Sequence, residues 1–213
     1  MAKDMCFPTL INFFTLQMLY RYFILNKPAN MVSQFVSSDH VPLLGNIDFH
    51  FPEGTHAIGR LDKDSEGLLL LTTDKKITRL IFSGKKQHKR TYLVMVQNEM
   101  TQETFDHFAK GVIIKIKNGD EYLARPDMLL RVSNAVSLYP WAADAREIYP
   151  HTWLLITLTE GKYRQVRKMT LALRHRCLRL IRLCMEDITL DGISPGEVKE
   201  LDHETFYRLA GIN

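Results

Sequence analysis

Apolar and polar positions along this chain recur with two periods, two residues and about 3.6 residues, and the changes of period mark out its elements. Residues 21–28, RYFILNKP, form a short apolar run closed by an Asn-Lys-Pro turn signal and predict a strand. Residues 31–35, MVSQF, alternate, and are expected to pair with it. GLLLLTT at 67–73 is an unbroken apolar run bounded by charges, the pattern of a strand buried on both faces. Ile77, Leu80 and Ile81 then fall at helical spacing, with Asp74 placed to cap. RTYLVMVQ at 90–97 predicts another strand. Thr101 and Thr104 open an amphipathic helix carrying Phe105, Phe108 and Val112. GVIIKIKNGDEYLARP reads as strand, Asn-Gly-Asp turn, strand. A strand at TWLLITLTEGKY leads into a helix with Val166, Met169 and Leu173 on its apolar side. CLRLIRL and MEDITL close the sheet, and 194–211 supply a turn and a last helix. Strands follow one another in hairpin-like succession without regular βαβ alternation. The fold class expected is therefore α+β, a mixed, mainly antiparallel central sheet flanked by helices, in a single domain over 21–213.

The 213 residues suffice for a sizeable core, and 46% hydrophobic with 24% charged residues is a globular composition. Residues 7–25 are apolar but interrupted by Asn12, Gln17 and Arg21, so residues 1–20 are expected to be an N-terminal extension rather than a membrane anchor. Cys6, Cys177 and Cys184 form neither a CxxC nor a paired-His pattern, which argues against zinc and a disulfide framework and suits a reducing cytoplasm. Net charge is only +4, but its distribution is uneven. One basic cluster runs over 75–90 and a second over 162–182, while the C-terminal stretch is acidic. A basic face of this kind suits a nucleic-acid partner.

Three segments carry candidate chemistry. In GRLDKDSEGLLLLTTD (59–74) Asp62, Asp64 and Glu66 alternate with Arg60, Lys63 and Ser65. The calcium-loop pattern is incomplete, and the neighbouring cations favour an ionised Asp62, suited to act as nucleophile or base. A charged turn accounts for the loop equally well, and a glycosidase would use Asp62 with Glu66. Tyr92 is either a packing residue or a ring for a bound base. In EGKYRQVRKM (160–169) the cations Lys162, Arg164, Arg167 and Lys168 crowd a helix start, where they oppose the dipole and so serve phosphate or a carboxylate. His175 is assigned no chemistry. P-loop, GxGxxG and Ser/His/Asp patterns are not found.

Taken in order, NKP, GRLDKDSEGLLLLTTD, and EGKYRQVRKM followed by LRLIRL and SPGEVKEL resemble the RsuA family of bacterial pseudouridine synthases, most of all its RluE-type members, which modify large-subunit ribosomal RNA. The resemblance runs from about Tyr22 to Leu201. It implies the pseudouridine synthase fold, without room for the N-terminal S4 domain of many relatives, and an isomerase needing neither cofactor nor metal. A uridine would be flipped out of ribosomal RNA, probed by Tyr92 and attacked or assisted by Asp62. Arg167, or failing that Arg164, would pair with Asp62. Arg60, Lys63, Arg90, Lys162, Arg164 and Lys168 would bind RNA. A monomer is the default, and the competing role is a catalytically silent RNA-binding or ribosome-assembly module. The intact set of Asp62, Tyr92 and Arg167 favours the enzyme.

Overall fold

A computed structural model describes residues 20–38, 40–83 and 87–212, so the expected N-terminal extension, with Lys85 and Lys86, lies outside the described residues. The strands are β1 (Tyr22–Lys27), β2 (His56–Ala57), β3 (Glu66–Thr72), β4 (Arg90–Gln97), β5 (Val112–Lys115), β6 (Glu121–Ala124), β7 (Met128–Val132), β8 (His151–Leu158), β9 (Cys177–Met185), β10 (Ile188–Thr189) and β11 (Val198–Leu201). The helices are α1 (Ile77–Ser83), α2 (Gln102–Lys110), α3 (Gln165–Ala172) and α4 (His203–Ala210). The main sheet runs β11-β1-β3-β9-β4-β8-β7, with β2 and β10 on β3 and β9, and β5 pairs separately with β6. Every pairing is antiparallel except a short parallel junction of β3 with β9 at Glu66↔Ile181 and Gly67↔Arg182. The α+β class with a mainly antiparallel sheet is thus the one found.

The leucine run of β3 is continuous because both faces of the sheet are covered. Leu68 and Leu70 pack with Tyr22, Ile24 and Ile181, whereas Leu69 and Leu71 pack with Phe23, Leu25 and Leu44. All four leucines are fully buried, each contributing about 1.5–3 kcal/mol. β4 divides likewise, Leu93 and Met95 to one layer and Val94 and Val96 to the other. Caps fall where the side chains predict them. Asp74 accepts from the Lys76 amide at 2.9 Å before α1, and Thr101 accepts from the Thr104 amide at 3.2 Å before α2.

One predicted strand is absent. Residues 31–35 do not pair with β1, whose neighbours are β3 and β11. Side chains claim that segment's place instead. The fully buried Lys27 donates its Nζ to the carbonyls of Pro28 and Met31, at 2.8 and 2.7 Å. Burial, opposed by Glu66, Asp64 and Asp62, pushes this lysine down to about 8. Ser33 Oγ both donates to the Leu61 carbonyl and accepts from the Leu61 amide, at 2.9 and 3.0 Å. The alternation of residues 31–35 therefore marks a brace under the 59–65 loop, not a strand. Three short strands, β2, β7 and β11, go beyond the elements expected. β2 is two residues long, and β7 and β11 are sheet edges with too few buried positions to stand out in a periodicity.

Candidate active site

The loop between β2 and β3 is shaped by two glycines. Gly59 has φ +72, and a Cβ there would stand 2.7 Å from the Phe82 ring. Gly67 has φ +95, and a Cβ there would meet the Arg182 carbonyl oxygen at 2.3 Å. Only glycine lets β3 turn out of the loop and pass directly beside β9. Between these points Ser33 holds Leu61, and the Ser65 amide closes a turn on the Asp62 carbonyl at 3.0 Å. Asp62 is thereby set on the rim of a cleft of about 840 Å³. The cleft is also lined by Arg60, Lys63, Arg90, Tyr92, Lys162, Arg164 and Arg182.

Tyr92 reaches this cleft through a register shift. Thr91 faces Cys184 but Tyr92 faces Arg182, so β9 carries one extra residue at that point. A bulge of this kind re-aims the side chains that flank it. Arg90 is mostly buried, its guanidinium carbon 5.4 Å from the centre of the Phe82 ring. Lys162 stands over the Tyr122 ring at 4.9 Å. Arg60, Lys63 and Lys162 are exposed at the cleft, as phosphate contacts require.

The turn that carries the third segment is held by its own polar residues. Glu160 accepts from both Tyr122 Oη and Gln165 Nε2, and Gln165 Oε1 accepts from the Lys162 amide at 2.8 Å. Arg164, the residue before α3, lies in the left-handed region with φ 51 and ψ 36. A non-glycine residue there costs roughly 1–3 kcal/mol and marks a place over-determined by its surroundings. The conformation delivers its guanidinium to two carboxylates. Arg164 donates to Asp64 Oδ1 and Oδ2 at 3.2 and 2.9 Å, and its Nη1 stands 3.4 Å from Asp62 Oδ2. Burial works to raise the Asp64 carboxyl, but these hydrogen bonds and the Arg167 charge outweigh it and hold the group below the usual carboxylate range.

The expected partner of Asp62 was Arg167, with Arg164 second, and the structure puts Arg164 beside Asp62 and Arg167 beside Asp64. Arg167 donates Nη2 to the Asp64 carbonyl at 2.8 Å and to Ser65 Oγ at 3.2 Å, with Nη1 3.5 Å from Cys177 Sγ. It supports the loop's backbone from behind and does not line the cleft. Lys168, expected on the RNA side, donates to the Lys115 carbonyl at 2.7 Å and ties α3 to β5. Both residues lie inside the helix, whereas Arg164 precedes it, and the left-handed turn separates their directions. Charge and spacing alone do not report that turn.

Two further residues were not singled out from sequence. Arg179 grips Glu66 through two hydrogen bonds, 2.7 and 2.8 Å, and also donates to the carbonyls of Ala142 and Trp141. Glu66 is therefore committed to structure, which removes the second carboxylate that a glycosidase would need. Arg182 is buried, and its Nε donates to the Leu68 carbonyl at 2.7 Å. The available signal was a charged residue in the middle of the apolar run LRLIRL.

Among the described residues no group of His, Cys, Asp and Glu is arranged to hold a metal ion, and no helix is long and apolar enough to cross a membrane.

Comparison with known proteins places this geometry. Residues 21–172 match the family of RNA pseudouridylate synthases. The chain is 35% identical over 180 residues to ribosomal large subunit pseudouridine synthase E of Vibrio parahaemolyticus, covering 84% of this chain and 72% of that one. It is 32% identical over 185 residues to ribosomal small subunit pseudouridine synthase A of Escherichia coli, covering 86% and 71%. A crystal structure of a pseudouridylate synthase superposes with a TM-score of 0.70 at 28% identity, over 89% of this chain and 74% of that one. Sequence and fold agree, and the chain belongs to the RNA pseudouridylate synthase family and is an RNA pseudouridine synthase.

Proposed function

We propose that this enzyme converts a uridine of large-subunit ribosomal RNA to pseudouridine, with Asp62 as the reacting carboxylate. The observation that carries the reading is Asp62 itself. It stands at the rim of a cleft that Tyr92 lines, beside one cation, Arg164, at 3.4 Å. A carboxylate so placed is accessible, while its neighbours Asp64 and Glu66 are occupied. Exposed Arg60, Lys63 and Lys162 at the cleft supply the charge that a polyanion needs. A uridine flipped from the RNA would lay its ring along Tyr92 and bring C1′ to Asp62. The glycosidic bond between C1′ and N1 breaks, the uracil turns, and C5 bonds to C1′ with loss of its proton. Arg164 stands beside the carboxylate, and Arg167 keeps the loop that carries it in place.

The large-subunit assignment draws on the Vibrio relative, at 35% identity, over the small-subunit relative at 32%. Nucleotide-resolution mapping of pseudouridine in both ribosomal RNAs, with and without the gene, tests it. One site should vanish from the large-subunit RNA. Loss of a small-subunit site in its place would overturn the assignment. Asp62→Asn should lower the rate by at least about 1,000-fold with RNA affinity kept. A fully active Asp62→Asn enzyme would remove Asp62 from the chemistry.

A further inference from the structure

Arg182 lies where β9 joins the two halves of the site. It is the β9 residue opposite Gly67 of β3, which continues the Asp62 loop, and opposite Tyr92 of β4. Its carbonyl fills the space that a Cβ on Gly67 would take. Its side chain is 4% exposed, lies on the same cleft as Asp62 and Tyr92, donates Nε to the Leu68 carbonyl and interacts with the Tyr92 side chain. At the other end Nη2 is buried without a hydrogen-bond partner among the described residues.

This is an expensive arrangement for a cation. Arg179, three residues earlier on the same strand, is 12% exposed, and two carboxylate oxygens and two carbonyls satisfy it. Among the described residues no carboxylate forms an ion pair with Arg182. Burial lowers its pKa, Tyr92 opposes that and nearby Arg90 adds to it, yet an arginine keeps its proton under such conditions. A fixed positive charge thus waits at the floor of a cleft that receives an anionic polymer. The phosphates themselves are met at the rim by exposed Arg60, Lys63 and Lys162. What lies against Tyr92, the cross-strand neighbour of Arg182, is the base.

We propose that Arg182 is a catalytic residue whose guanidinium donates to a carbonyl oxygen of the flipped uracil and holds the negative charge that the ring acquires when its bond to C1′ breaks. When that bond breaks, its electron pair leaves with N1 and spreads over O2 and O4 of the ring. The charge persists while the uracil turns and is consumed when C5 bonds to C1′ and gives up its proton. A donor fixed in a dry site stabilises such a charge without having to reorganise, and loss of one such donor typically costs 100- to 1,000-fold in rate. The inference rests on the reading that the flipped uridine lies between Tyr92 and Asp62.

The test uses ribosomal RNA transcripts carrying the mapped uridine, and the same transcripts with 5-fluorouridine at that position. Fluorine withdraws electrons and makes the ring anion easier to form, so an enzyme lacking the Arg182 charge should be partly relieved by it. Single-turnover loss of the N1-linked nucleoside is followed for wild type, Arg182→Met and Arg182→Lys, with RNA affinity and thermal melting measured on each. Arg182→Met is expected to slow uridine cleavage by about 100-fold or more with affinity unchanged, and 5-fluorouridine cleavage by at least tenfold less than that. Arg182→Lys keeps the charge and should fall between; it is read in the same way if the Met variant does not fold. A rate within threefold of wild type, or equal losses on both substrates, overturns the inference. An active Asp62→Asn enzyme overturns the underlying site reading and the inference with it. An inactive Asp62→Asn beside a fully active Arg182→Met overturns the inference alone.

Discussion

Asp62 and Asp64, at the mouth of the cleft, and Glu66, at the root of β3, are carboxylates of one alternating run, yet they are held in opposite ways. Glu66 and Arg179 are each 12% exposed and share two short hydrogen bonds, with the remaining guanidinium donors on backbone carbonyls. That pair is closed and stitches β3, β9 and the 140–143 segment together. At the mouth one strained arginine serves two acids. Arg164 clamps Asp64 with both nitrogens and only approaches Asp62 at 3.4 Å. The three carboxylates divide into one closed in a structural pair, one clamped by Arg164 and one on the cleft with a single longer contact to Arg164. Proximity in sequence conceals this division, because the cations that meet these acids come from distant parts of the chain, Arg164 for two of them and Arg179 for the third.

Substitutions at the two regions should therefore separate stability from rate. The largest loss of stability is expected at the root. Glu66→Gln leaves the largely buried Arg179 without its counter-charge and should cost about 3 kcal/mol in chemical denaturation, with the residual folded enzyme still active. A loss below about 1 kcal/mol would mean the pair is not a structural anchor. At the mouth the opposite behaviour is expected. Arg164→Gly suits the left-handed backbone at φ 51 and should leave the denaturation midpoint unchanged or slightly raised. Its single-turnover rate should fall by roughly tenfold, because Asp62 loses its cation. Parallel losses of stability and rate would erase the contrast between the two regions. The smallest effect concerns acid. Asp64 has a folded pKa below its unfolded value, so its contribution to stability is complete above the ordinary Asp value of ~3.9 and is lost as the pH falls through the depressed one. Carboxyl NMR titration should find the Asp64 midpoint below the ordinary value of ~3.9, and Arg164→Gly should move that midpoint upward. An Asp64 titrating at the ordinary value in the wild-type protein would mean that the mouth pairs are too loose to position anything.

The leucine strand, the strand at 90–97, the capped helices and the 112–124 hairpin were all legible, because each is a local pattern of period, cap or turn. Residues 31–35 were misread for a physical reason: their alternation reflects Ser33 and Met31 serving the Asp62 loop and Lys27, not a sheet. Asp62 and Tyr92 were legible as candidates because their segments resemble those of a known family, and the cleft holds both. Arg167 and Arg164 were both legible as partners of Asp62, but the order between them was not. Helical spacing treats positions 164 and 167 as neighbours on one face, and a single left-handed residue before the helix breaks that equivalence.

By itself, then, the sequence determined the class of fold and the family, and named the segments that carry candidate chemistry, since periodicity and motif are properties of contiguous residues. Tertiary structure alone decided which cation faces which carboxylate, that Glu66 is closed and Asp62 open, and that Arg182 lies between them and Tyr92. Those relations depend on a glycine contact between β3 and β9 and on a one-residue bulge against β4, where backbones far apart in the chain come within touching distance.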